Sequence, residues 1–521
     1  MFGLVIVLSA GVLVYALRRN VVKLPVRDEL HMIGRPARIH PDYCGTVLPP
    51  NIAPLNFFVR EKGSRYFVRI YSEQGTQIEV KNNSPKIIIP ENPWRELLKM
   101  NPGQKLYFDV FVEGDEGSWD AYDTIVNTIA PEAIDDYLVY RKIDPVHSNW
   151  REMGIYQRDL RGYNESVVLD NGYFEGGCIN CHTFCNNRSD KMLLHIRSAR
   201  YGSCALLVED GRAAKIGTKC NYSSWHPSGT LVAYSVNRVA QFFHSAGAEV
   251  RDVLDIDSLL AYYLVDAETV KTSAAIAMKD RLETYPTWSP DGRYLYFCSA
   301  PKLWGGDAGI PDSYNKIKYD LVRVSYNIDG DKWGEPETVL SAEDTGLSIL
   351  LPRISPDGRW LLFCMCEYGS FAAYQPSSDL YMVDLEAPKE NGRYRYRRLD
   401  INSEQSESWH SWSSNSRWIA FSSKRDSGSF TRSYLAHVDA EGNVSKPVLL
   451  PQKDPTYYDS CLRTYSVPEL VIETVKVTKE KLGRVVRGSR QIAAGLPVTM
   501  ATPKAGTLPA HDEPWVGERE Q

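Results

Sequence analysis

The segment Thr287-Trp-Ser-Pro-Asp-Gly-Arg-Tyr-Leu-Tyr-Phe-Cys298 decides the fold because it recurs. Three further stretches align with it: Ser224-Trp-His-Pro-Ser-Gly-Thr-Leu-Val-Ala-Tyr-Ser235, Arg353-Ile-Ser-Pro-Asp-Gly-Arg-Trp-Leu-Leu-Phe-Cys364 and Ser411-Trp-Ser-Ser-Asn-Ser-Arg-Trp-Ile-Ala-Phe-Ser422. The position held by Trp225, Trp288, Ile354 and Trp412 returns at intervals of 63, 66 and 58 residues. Each unit reads as strand, tight turn, strand. Pro presets φ for the turn, and Asp-Gly or Ser-Gly supplies a residue that tolerates positive φ. The strand after the turn alternates, with Leu295 and Phe297 on one face and Tyr294 and Tyr296 on the other. A single hairpin cannot bury such an aromatic face, whereas four-stranded blades stacked about an axis can. About 280 residues at roughly 45 per blade predict a β-propeller of six blades, with Lys191 to Ile196 and Ser433 to Val438 as degenerate members.

Outward from the repeat, the composition agrees with an all-β chain. Among 521 residues there are 31 Tyr and 12 Trp, and turn pairs of Gly and Pro are frequent. The period-two stretches Tyr66-Phe-Val-Arg-Ile-Tyr71 and Lys105-Leu-Tyr-Phe-Asp-Val-Phe-Val112 predict a small β-sandwich over residues 46–140. Trp94-Arg-Glu-Leu-Leu-Lys99 interrupts it as a short helix. Residues 20–45 read as a tether, 141–185 as a loop-rich connector, 186–470 as the propeller and 471–521 as a largely disordered tail. The net charge of -5 excludes nucleic acid as the main partner, since phosphate neutralisation needs a basic face.

Residues 2–17 form an apolar run followed by Arg18 and Arg19. At about 1.5 Å per residue it reaches roughly 24 Å, nearly a bilayer span that arginine snorkelling completes. It reads as an N-terminal anchor helix. A cleaved signal peptide ending near Val14-Tyr15-Ala16 is the alternative. The basic cluster Arg18, Arg19 and Lys23 follows the run, which by the positive-inside rule favours a cytoplasmic body.

Cys178-Ile-Asn-Cys181-His182 has the spacing for covalent c-type haem attachment. Two thiols reach the two vinyl groups on one edge of the macrocycle, and the adjacent imidazole takes the proximal position. Gly176 and Gly177 allow close backbone approach. With no second Cys-x-x-Cys pair, zinc is disfavoured. This chemistry requires an oxidising, exported location, opposite to what the basic cluster suggests. For the sixth ligand the sequence offers Met192, His195, His226 and His244. His195 is taken as the ligand and Met192 as the alternative, because the two lie on opposite faces of one expected strand. His226 and His410 read as hydrogen-bonded turn histidines. Arg158 is a possible propionate partner. Cys204 and Cys220 flank an apparent hairpin and are a possible disulfide, whereas Cys298, Cys364 and Cys366 read as core residues.

The Trp-Ser-Pro-Asp-Gly-Arg segments resemble the repeats of TolB-like β-propellers. The chain resembles, more specifically, a family of haem-bearing TolB-like propeller proteins of bacterial envelopes. That resemblance rests on Pro50-Asn-Ile-Ala-Pro-Leu-Asn56, Ile155-Tyr-Gln-Arg-Asp159, Cys178-Ile-Asn-Cys-His-Thr-Phe184, Trp409-His-Ser-Trp-Ser413 and Tyr465-Ser-Val-Pro-Glu469. It implies one haem c and a place on the periplasmic side of a membrane, and no defined activity. Hydrolytic chemistry lacks a sequence basis: there is no G-x-S-x-G elbow, phosphate loop or H-E-x-x-H. The expected function is electron transfer by a membrane-associated monohaem cytochrome whose propeller docks a redox partner in the cell envelope. The alternative is a binding or scaffold propeller in which haem is structural or sensory.

Overall fold

A computed structural model describes residues 30–114, 117–144, 152–243, 251–303 and 313–493. The N-terminal apolar run, His244 and most of the expected tail lie outside the described residues. Among the described residues, no helix is long and apolar enough to cross a membrane. Strands dominate, and the chain divides into two compact units.

The smaller unit is built around residues 54–129. Its larger sheet centres on Lys105–Glu113, hydrogen-bonded to Arg65–Tyr71, Trp119–Asp123 and Ile125–Ile129. A second sheet contains Ile39–His40, Phe57–Val59 and Lys86–Ile87. Phe57 of the second sheet stacks on Phe108 of the first at 5.9 Å, so the aromatic inner faces meet as alternation requires. The helix Glu91–Met100 covers one side. Trp94, Leu97 and Leu98 form its buried stripe, and the Trp94 ring meets Phe108 edge-on.

The larger unit is a six-bladed propeller. Its blades begin with the inner strands Cys178–Cys185, Asn221–Trp225, Arg281–Trp288, Ser348–Ile354, Glu407–Trp412 and Thr464–Val471. Each inner strand touches the next, and the sixth touches the first, so the ring closes. The recurring segments join the inner strand of blades two to five to its neighbour. In each turn the fourth residue donates its N–H to the first residue's carbonyl, at 2.8 Å for Gly229, Gly292 and Gly358 and 3.0 Å for Ser416. Ser289, Ser355 and Ser413 each bond the turn residue two places on. His226 takes that serine's place, with Nδ1 2.7 Å from Ser228 Oγ.

The first and sixth blades differ from the sequence expectation. The motif-bearing segment is an inner strand of blade one and not a connector loop. Lys191 to Ile196 lies in the second strand of that blade, Arg188–Ser198, and Ser433 to Val438 overlaps the third strand of blade five, Arg432–His437. The sixth blade combines Tyr137–Ile143, Met153–Asp159 and Glu165–Asp170 with the later strand Thr464–Val471. Pairing the two ends of the unit in one sheet fastens the ring, and this is why residues 141–170 belong to the propeller. Beyond residue 471 the described chain stays ordered in the helix Lys479–Arg487, where the sequence suggested a disordered tail. Leu482 and Val486 bury there, and Thr478 caps it.

The ten cysteines are free thiols. Cys204 joins the apolar layer between blades six and one, whereas Cys220 joins the layer between blades one and two. Blade one separates these layers, so the disulfide considered from the sequence does not form. Cys298, Cys364 and Cys366 are fully buried in strands, as read.

Candidate functional site

Every inner strand of the propeller carries a bulge at one equivalent place. The bulge residue has positive φ although none is glycine: Cys181 (52°), Tyr222 (26°), Tyr285 (54°), Leu351 (54°), Trp409 (45°) and Val467 (52°). At each, the register with a neighbouring strand slips. Non-glycine residues pay for the left-handed conformation, and such strain persists where the surroundings hold it. The six bulges line one cavity about the axis, about 540 Å³ including its mouth.

The residues next to the bulges complete the lining: His182, Ser223, Pro286, Pro352, His410 and Pro468. His182 and His410 fill the same slot in blades one and five. The His182 Nε2 lies 3.4 Å from the Val139 carbonyl of the preceding blade, and the His410 Nε2 lies 3.1 Å from the Leu362 carbonyl of its own preceding blade. Burial pushes each imidazole down to about 3, so both are neutral over the ordinary pH range. They differ at Nδ1. His410 Nδ1 faces the Cys364 thiol at 3.8 Å, whereas His182 Nδ1 is buried without a hydrogen-bond partner. Tyr222, Tyr285 and Trp409 form an aromatic wall, with the two tyrosine rings 4.2 Å apart. Arg353 and Glu469 form an ion pair in the lining, and burial raises the Glu469 carboxyl despite the guanidinium.

Around the motif, Cys181 and His182 open on the cavity, and burial pushes the Cys181 thiol up to about 11. Cys178 is buried opposite Arg197, whose Nη2 lies 3.4 Å from its Sγ. Both His195 ring nitrogens are buried without hydrogen-bond partners. Cys178, Cys181 and His182 supply the donor types of c-type haem attachment; Cys181 and His182 border the cavity, whereas Cys178 lies outside its lining.

The two expected axial residues stand on different sides of blade one. Met192 pairs with Phe184, whose ring meets His182 edge-on at 6.1 Å, and the pair joins the layer facing blade six. His195 has the parity of Leu193, which joins the layer facing blade two. His182 therefore shares its face with Met192 and has the sheet between itself and His195. Arg158 takes no part in the cavity. Its guanidinium bonds the Gly162 carbonyl at 3.0 and 3.1 Å and lies over Tyr163, so it holds its own hairpin. His226 stays in its turn.

Tyr222, Tyr285, Arg353 and Glu469 escaped sequence reading. A signal for them exists. Pro286 and Pro352 sit two places before Trp288 and Ile354, inside strands where proline marks a bulge. Ser223 and His410 hold the matching places before Trp225 and Trp412.

No family model matches the chain, and no curated protein matches it. Among solved structures it is similar to a puromycin hydrolase at 17% identity and TM-score 0.36, over 60% of this chain and 45% of that one. The chain thus spans less than half the length of that hydrolase. It is similar to a luciferin-regenerating enzyme at 10% identity and TM-score 0.34, over 60% of this chain and 86% of the other. It is also similar to an oligogalacturonate lyase at 14% identity and TM-score 0.31, over 73% and 99% of the two chains.

Proposed function

We propose that the chain is an exported monohaem c-type cytochrome of the haem-bearing TolB-like family, passing single electrons to or from a protein partner in the cell envelope. One observation carries this reading: Cys181 and His182, two members of the Cys-x-x-Cys-His motif, line the axial cavity side by side. Cys178 and Cys181 would hold the haem through thioether links, and His182 would ligate its iron. Bound there, haem supplies a one-electron couple. The chain's own residues keep the site dry and fixed. The bulged strands set the lining, the aromatic wall excludes water, and the Arg353–Glu469 pair balances charge inside it. The propeller presents the docking surface, and the N-terminal apolar run tethers or exports the body to the periplasmic side of the membrane.

A reversible redox titration followed by absorbance tests the assignment. A six-coordinate spectrum that titrates reversibly is expected. A five-coordinate spectrum that changes with small gaseous ligands would instead favour the sensory or structural alternative.

The sequence points to His195 as the distal donor with Met192 as the alternative; the sheet of blade one stands between His195 and His182, so the proposed donor is Met192, on the face of His182. Because the two lie on opposite faces of blade one, the variants separate them. Met192→Ala should give a high-spin spectrum, and His195→Ala an unchanged low-spin one. A low-spin spectrum kept in Met192→Ala and lost in His195→Ala would place the donor on the face away from His182.

A further inference from the structure

At the end of the propeller where the inner strands begin, two cations share one aromatic ring. Lys424 follows the second strand of blade five, Trp418–Ser423, and its Nζ lies 4.9 Å from the centroid of the Tyr374 ring. Arg251 opens the long strand Arg251–Leu264 of blade two, and its Cζ lies 5.1 Å from the same centroid. The two charges are therefore no farther apart than the sum of those distances. Tyr374 is held as a platform: it stacks on Phe371 at 5.2 Å, and Phe371 meets Trp409 edge-on.

Neither cation has a carboxylate partner among the described residues. Lys424 is only 9% exposed. Burial alone pushes its amine down to about 8, with no acidic neighbour opposing the shift, so it is still largely protonated at neutral pH. The Arg251 Nε is buried without a hydrogen-bond partner. An ammonium group on a side chain this little exposed is costly to hold without a counter-ion, and folds normally pair it. The ring they share satisfies part of that need by cation–π attraction and leaves the net positive charge unbalanced.

We propose that Lys424 and Arg251 form a binding site for a small oxyanion, a phosphate or an organic carboxylate, seated beside Tyr374. Arg251 offers a planar fork that matches two oxygens of one anion, and Lys424 offers a point charge on the same ligand. The site is independent of the haem assignment, because none of its residues belongs to the motif or to the cavity lining.

The test is thermal unfolding of the full chain at pH 7, with inorganic phosphate in one arm and succinate in the other. Chloride at matched ionic strength is the control. At saturation, at least one oxyanion should raise the midpoint by about 2 °C over chloride. A rise with phosphate alone identifies a phosphate site, and a rise with succinate alone a carboxylate site. Lys424→Met and Arg251→Gln should each abolish the rise, and Lys424→Met should be at least as stable as wild type in chloride because it removes an unpaired buried charge. If Lys424→Met does not fold, Arg251→Gln decides. No rise over chloride with either oxyanion, or a rise that the folded variants keep, would overturn the proposal.

Discussion

Replacing Glu283 by glutamine should make the protein markedly more stable at pH 8 and leave it nearly unchanged near pH 4.5. Glu283 lies on the inner strand of blade three and is completely buried. One carboxyl oxygen receives the Met278 N–H at 3.3 Å, and the other has no hydrogen-bond partner. Burial pushes this carboxyl from its usual 4.5 up to about 8, outweighing the attraction of Arg281 and Lys302. The raised value fixes the sign. Between about pH 4.5 and 8 the folded chain holds a proton that the unfolded chain has released, so stability falls as pH rises, by up to about 1.4 kcal/mol per pH unit. Glutamine carries no charge to bury, so Glu283→Gln should gain on the order of 4 kcal/mol over wild type at pH 8. Urea unfolding midpoints of both proteins at pH 5 and pH 8 measure this. Parallel pH dependence in the two would show that Glu283 is not the titrating group.

The second large effect is expected at Trp418. This indole is fully buried in the second strand of blade five, with its Nε1 donating to the Glu132 carbonyl at 3.1 Å. Its ring meets His437 edge-on at 4.9 Å, and the His437 Nε2 lies 3.1 Å from the Glu132 carboxylate. Trp418 thus fastens the segment leading into the sixth blade against blade five. Trp418→Ala would open a cavity and remove the bond to the Glu132 carbonyl, which together should cost about 3–5 kcal/mol. Trp418→Phe should recover most of the packing loss and none of the hydrogen bond. If both variants denature at the wild-type urea concentration, the segment is not held there.

What the sequence disclosed follows from what is local. Ser-Pro-Asp-Gly and its variants build a turn from four adjacent residues, so blades two to five were legible from Trp225, Trp288, Ile354 and Trp412. Blade one turns on Asn186 and Asn187, both with positive φ, and its inner strand carries the Cys178-x-x-Cys181-His182 motif itself. Its two cysteines and histidine drew the reading toward chemistry and away from strand structure. Blade six pairs Tyr137–Ile143 with Thr464–Val471, a contact between distant segments that no local pattern announces. The site was legible to the same extent. The motif named Cys178, Cys181 and His182, but the cavity they border depends on positive-φ bulges at Tyr222, Tyr285, Leu351, Trp409 and Val467. None of these is a glycine that would have marked the place. The opposite facing of Met192 and His195 was legible by parity alone. Which of them shares a side with His182 was not, because the bulge at Cys181 breaks the alternation between the motif and the strand beside it.

The most direct test of the central claim is whether haem stays on the chain when the fold is removed. Full-length protein made with a cytochrome c maturation system, run on denaturing electrophoresis and stained for haem, should retain the stain. Its intact mass should exceed that of the polypeptide by one haem. The Cys178→Ala, Cys181→Ala double variant should lose both signals. A wild-type chain made under those conditions that migrates without stain and at the mass of the bare polypeptide would contradict the account.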